Sequence, residues 1–168
     1  VTQEYLTAQH TGWRLDTAIA GGGLFNDLAP HQLDLMYYFF GEIDKSCGLA
    51  VNQANLYNAD DIIAGNILFK TGVVFNGIWC FGVNEKDEKD YCEIVGSNGK
   101  ISFSFFEHSP VMLTINGKTE TLLFNPLQHV QQPMIEKVVD YFLDEGPNPC
   151  SGDEGVAVMQ LIDKFTGK

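Results

Sequence analysis

Cations are scarce in this sequence: ten Lys and Arg stand against 22 Asp and Glu, a formal net charge of −12 in 168 residues. Phosphate contacts require clustered Lys and Arg, so nucleic acid is not an expected partner, and neither is an anionic membrane surface. No apolar run reaches the ~18–20 residues of a membrane span, and no secretory signal is recognisable. The cysteines Cys47, Cys80, Cys92 and Cys150 form no C-x-x-C pair. A chain of this size does not need disulfides to hold a core, so they read as free thiols in a reducing compartment. Paired Cys and His ligands of the zinc type are missing too. A set drawn from Asp27, His31, Asp34 and a distant His108 or His129 lacks recognisable ligand pairs, and no metal is expected. There is no Walker loop, G-x-S-x-G elbow or H-E-x-x-H helix. The triplet Gly21-Gly22-Gly23 is not a dinucleotide fingerprint, because position 26 is Asn and no convincing strand precedes it.

What is present is a core-forming composition. Hydrophobic residues make up 45% of the chain, which excludes bulk disorder and suits one domain of ordinary size over residues 1–168. The organising stretch is Gly21–Gly41, GGGLFNDLAPHQLDLMYYFFG. The glycines permit backbone conformations that other residues resist, and the helical pattern after them ends at Gly41. Asn26 or Asp27 is expected to cap that helix, with Pro30 in its first turn. Leu28, Leu35, Met36, Phe39 and Phe40 are the expected core face. Asp27, His31, Asp34 and Tyr38 fall at i, i+4, i+7 and i+11, one side of a helix.

A carboxylate one turn from an imidazole can orient it or raise its pKa, and the imidazole can then exchange a proton with a substrate hydroxyl. The spacing by itself is a weak signal and fits a helix cap followed by a polar surface histidine better than a catalytic pair. Asp34 reads as a hydroxyl-binding group or an exposed helix residue, and Tyr38 as a pocket residue or, more in keeping with the pattern, a packed edge residue. His10, His108 and His129 receive no role.

Between Lys45 and Phe124 the signal changes to strands: Ser46–Leu56, Asp61–Lys70, Val73–Gly82, Lys89–Gly96, Lys100–Phe106, Val111–Asn116 and Lys118–Phe124. Thr71-Gly72, Asn98-Gly99 and Asn116-Gly117 are turn signals, and connections this short demand antiparallel neighbours. The block reads as one antiparallel meander with a solvated turn at Asn84–Asp90. Val73, Phe75, Trp79 and Phe81 would share one face, and Val74, Ile78 and Cys80 the other. With both faces apolar, helices are expected on one and a second subunit on the other. Two closing helices follow, an amphipathic one over Val130–Leu143 and one opened by a Ser151/Glu154 capping box. The expected class is α+β, a large, mostly antiparallel sheet with helices on one face and the other face free for oligomerisation.

The order Trp13-Arg14-Leu15-Asp16, Gly21-Gly22-Gly23, Asp27-x-x-x-His31-x-x-Asp34, Gly41 resembles the start of the C-terminal domain of the Gfo/Idh/MocA oxidoreductases. Glu93-Ile94-Val95-Gly96-Ser97-Asn98-Gly99-Lys100-Ile101 resembles that family's glycine-rich hairpin. The resemblance implies a two-domain enzyme whose N-terminal Rossmann domain binds NAD or NADP and is absent from this chain. It implies that His31 is the acid/base acting on a hydroxyl or carbonyl oxygen, and that Asp27 positions the substrate or His31. Asp34, Trp13 and Arg14 would contact the substrate, a sugar, polyol or cyclitol, and the cofactor would exchange the hydride. It further implies a homo-oligomer through the sheet face and a bacterial cytoplasmic enzyme, export not being excluded by a chain that starts at Val1.

The family's catalytic lysine segment, Glu-Lys-Pro, does not occur here, so the isolated chain is expected not to turn over substrate. Two other functions fit the same residues. One is an NAD-dependent glycosidase of the same family, and the other is a stand-alone binding or dimerisation module.

Overall fold

The computed structural model describes residues 12–167. The described chain divides into two compact units, one running to Glu88 and resuming at Cys150, the other Lys89–Pro149.

The first unit opens with a 3-10 turn at Trp13–Leu15 and a four-residue helix α1, Thr17–Ala20, capped by Asp16. Helix α2 is Gly23–Phe40. Its N-cap is Gly22 and not Asn26 or Asp27, so Pro30 sits in the helix interior and not in the first turn. Gly21 and Gly23 have φ of +79° and +72°, which lets the chain turn into the helix earlier than capping residues suggest. Pro30 has no N–H to offer the Asn26 carbonyl one turn back. Gly41, at φ +77°, ends the helix as expected.

The core face of α2 is as expected only at Met36. Leu24, Phe25, Ala29, Leu33 and Met36 are buried, whereas Phe39 is exposed and Leu28, Leu35 and Phe40 are only half-buried. Two stripes on this helix are apolar enough to serve, and the aromatic sheet face opposite selects the one carrying Phe25. Phe25 meets Trp79 edge-on at 5.1 Å, and Phe40 lies 5.4 Å from Phe69.

Strands β1 (Ile43–Val51), β2 (Ile62–Phe69) and β3 (Val74–Cys80) form one antiparallel sheet in the order β1-β2-β3. Register places Gly48, Gly65 and Gly77 in one row across it. Helix α4, Gly152–Thr166, returns to this unit and lays Phe165 over Gly48 and Gly65. A Cβ on Gly48 would stand 2.5 Å from the Phe165 backbone, and one on Gly65 would overlap its ring. Val158, Leu161, Ile162 and Phe165 are all buried on α4, as their spacing predicts. Helices thus cover one face of this sheet. On the other face Leu49, Val51, Val74 and Ile78 are exposed.

In the second unit, β4 (Cys92–Gly96), β5 (Gly99–Phe103), β6 (Val111–Ile115) and β7 (Lys118–Leu122) form an antiparallel meander. Asn116 and Gly117 have positive φ of +50° and +75°, the backbone that the Asn-Gly signal predicts. Helix α3, Gln132–Phe142, follows with its apolar residues Met134, Ile135, Val139 and Phe142 exposed. The α+β class and the antiparallel pairing are as the sequence implies. The strands divide into two hydrogen-bonded sheets, and the break falls at the charged run, where Glu85–Asp87 make a 3-10 turn.

Candidate functional site

The polar stripe of α2 lies on the side away from its buried face. His31, Asp34 and Tyr38 are exposed, and Asp27 is half-buried. Tyr38 is 81% exposed and does not pack as an edge residue, because the sheet takes the opposite side of the helix. One turn separates Asp27 from His31, and the next brings Asp34 onto the same surface.

The segment before the glycines is brought onto this stripe. Leu15 is buried and pins the 3-10 turn, leaving Trp13 and Arg14 toward the surface. Arg14 Nε donates to Asp27 Oδ2 at 2.9 Å, and the guanidinium carbon lies 4.4 Å from the centre of the Trp13 ring. Asp27, Arg14 and Trp13 therefore form one contact chain leading to the turn before His31.

Two further elements support this surface. One is the loop between β1 and β2, where buried Asp61 accepts the backbone N–H groups of Gln53 and Ala54 at 2.7 Å each. The loop so fixed packs against the entry of α2: a Cβ on Gly23 would lie 2.5 Å from Ala59 Cβ and 3.5 Å from the Tyr57 ring. Burial first, and then the negative charge of Asp61, pushes the Tyr57 phenol up to about 12. Only the Asp/Asn-rich composition of Asn52–Asp61 hinted at such a loop.

The other support is the start of α4. Burial first, and then the charges of Asp34 and Glu154, raise the Cys150 thiol, which places Cys150 electrostatically beside the stripe. Ser151 and Glu154 close the expected capping box there. Hydrogen bonding from the Ser151 backbone holds the Glu154 carboxyl below its ordinary value. Among the described residues, no group of three or more His, Cys, Asp and Glu converges as a metal site, and no helix is long and apolar enough to cross a membrane.

His108 and His129 belong to the second unit, His108 beyond the end of β5 and His129 just before α3. The open groove around His129 is lined by one continuous stretch, Gln128–Gln132 with Ile135 and Glu136. His10 lies outside the described residues.

The profile of the GFO/IDH/MocA C-terminal domain matches residues 1–102. Oxidoreductase P35 of Formosa agariphila is 43% identical over 155 residues, covering 92% of this chain and 47% of that protein. The chain thus spans about half the length of the curated relative it matches. Among solved structures, an aldose-aldose oxidoreductase from Caulobacter crescentus complexed with glycerol superposes with a TM-score of 0.78 at 20% identity. That superposition covers 92% of this chain and 48% of the other. A levoglucosan dehydrogenase in complex with NADH gives 0.77 at 19% identity, covering 94% and 50%. At such identities these structures share the fold.

Proposed function

Because the chain belongs to the GFO/IDH/MocA family, in its C-terminal domain, we propose that it is the substrate-side half of an NAD(P)-dependent oxidoreductase that acts on a sugar, polyol or cyclitol hydroxyl. The observation that carries this reading is the polar stripe of half-buried Asp27 and exposed His31 and Asp34 on α2, with Arg14 bound to its first carboxylate. On this reading His31 takes the proton from the reacting hydroxyl, or returns it to the carbonyl oxygen. Asp27 orients the imidazole or the substrate, and Asp34 holds a neighbouring hydroxyl. Imidazole is suited to this exchange because its ordinary pKa lies near neutrality.

The described residues do not fit a dinucleotide. Gly21–Gly23 follow a 3-10 turn and a four-residue helix, not a strand, so there is no strand–glycine loop–helix cradle for a pyrophosphate. NAD or NADP is therefore assigned to a Rossmann domain outside these residues, and this chain supplies substrate positioning and proton handling. The levoglucosan dehydrogenase complex with NADH supports that assignment by likeness of fold.

The exposed apolar face of the first sheet, with Leu49, Val51, Val74 and Ile78, is proposed to bind a second copy of the chain. Four thiols without a disulfide and the acidic composition suit a bacterial cytoplasm.

The test is a panel of sugars, polyols and cyclitols with NAD and NADP, using the two-domain protein. Reduced nucleotide accumulating with a free sugar supports the proposal, and His31→Ala should then lower kcat by about 10²–10⁴-fold. Release of an aglycone without net reduction points instead to the family's glycosidase chemistry. No nucleotide-dependent turnover, or a His31→Ala loss below about threefold, overturns the assignment and favours a binding module.

A further inference from the structure

We propose that Arg14 is a positioning residue that fixes Asp27 as an oriented anion beside His31, and that it does not contact the substrate itself. The inference rests on the functional reading above and revises the substrate contact that the family resemblance implies for Arg14. The Arg14 and Asp27 side chains are 48% and 37% exposed, so their pairing contributes little to folding stability. What the geometry does supply is direction.

Contact is made through Nε, the inner nitrogen of the guanidinium, at 2.9 Å from Oδ2. A planar cation held at Nε has one in-plane direction set by that bond. The Trp13 ring, 4.4 Å from the guanidinium carbon, stacks on the same group and restrains it a second time. Both residues are carried by a turn anchored through buried Leu15, and the Leu15 N–H donates to the Gly12 carbonyl at 2.9 Å. The cation is thus held from its backbone, its ring face and its donor edge. Asp27 is held in turn, with Oδ2 committed to Arg14 and Oδ1 left for the imidazole or a substrate hydroxyl. Lysine would keep the charge but lose both the side-on bond and the stack.

The experiment is a double-mutant cycle in the two-domain protein with a substrate it turns over: Arg14→Met, Arg14→Lys, Asp27→Asn, and Arg14→Met combined with Asp27→Asn. If Arg14 acts through Asp27, Arg14→Met lowers kcat about tenfold or more and moves substrate KM by less than about threefold. Arg14→Lys recovers part of that loss. In the Asp27→Asn background, Arg14→Met costs less than about twofold further, because the group it served is already gone. Losses that multiply, or a rise in KM at unchanged kcat, overturn the inference and return Arg14 to direct substrate binding. A wild-type protein with no turnover overturns the functional reading and this inference with it, whereas turnover with independent losses overturns this inference alone.

Discussion

The indole Nε1 of Trp79 donates to the side-chain oxygen of Gln32 at 2.5 Å, tying β3 to the turn of α2 that carries His31. Trp79 is 8% exposed and also packs against Phe25 and Phe165. Trp79→Phe therefore removes a donor and leaves a part-buried amide oxygen unpaired, which should cost ~1–3 kcal/mol in urea unfolding. Gln32→Leu should cost ~1–2 kcal/mol, and the double substitution less than the sum. Strict additivity would sink the account of the pair.

The glycines beneath Phe165 lead to a second expectation. Gly65→Ala places a methyl group 2.2 Å from an atom of the Phe165 ring, which is fully buried. The substitution should destabilise by ~1–3 kcal/mol. Combined with Phe165→Leu, it should cost clearly less than the two changes separately, as read from thermal midpoints. A neutral Gly65→Ala would mean that α4 does not sit where Phe165 places it.

Tyr57 carries a pH dependence. Its hydroxyl is buried without a hydrogen-bond partner among the described residues, and its pKa rises from 10.0 to about 12. The folded state therefore holds this proton more tightly than the unfolded state. Its contribution is complete below the unfolded value and is lost as pH rises through the folded one. Stability should fall by about 2 kcal/mol across that alkaline window, and Tyr57→Phe should abolish this fall. Near neutral pH, Tyr57→Phe should be neutral or stabilising, since it removes an unpaired buried group. A large loss at neutral pH would show that the hydroxyl has a partner.

The start of α4 titrates in the opposite sense. Glu154 accepts from the Ser151 backbone N–H at 2.6 Å and the Ser151 hydroxyl at 2.8 Å, and its pKa is depressed. A depressed carboxylate stabilises above its unfolded pKa, and the effect fades as pH falls through the folded value. Ser151→Ala should cost ~1 kcal/mol near neutrality. The gap between wild type and variant should narrow in acid, as followed by melting from neutral pH downward. A gap independent of pH would rule out the bond from the Ser151 hydroxyl to the Glu154 carboxylate.

Features set by near neighbours in sequence were legible. Asn116-Gly117 fixed a hairpin, Gly41 a helix end, and Ser151 with Glu154 a cap, because the partners are at most a turn apart. The stripe from Asp27 to Tyr38 was legible for the same reason, since helical periodicity alone sets it. Its burial was not, because two apolar stripes of α2 compete and only Trp79 and Phe69, distant in sequence, decide between them. Arg14 meeting Asp27 across 13 positions, or Trp79 meeting Gln32 across 47, leaves no local trace. Buried Asp61 resembles any loop carboxylate until its two amide donors are seen. Pro30 misled because proline marks first turns more often than helix interiors, and here the glycines had already started the helix.

Gly65 and Phe165 are separated by 100 residues, and the whole second unit is made between them. A ribosome adding about 5–20 residues per second spends roughly 5–20 s on that interval. The hairpins of the second unit need only neighbours and can close as they emerge. Until α4 follows, Gly48 and Gly65 lack the Phe165 ring that covers them, and Trp79 has Phe25 but not Phe165 beside it, a nascent surface for holding chaperones or for misassembly with another growing chain. The last helix is thus the step that commits the fold, and slowing its delivery should cost yield of soluble protein before it costs anything in the finished molecule.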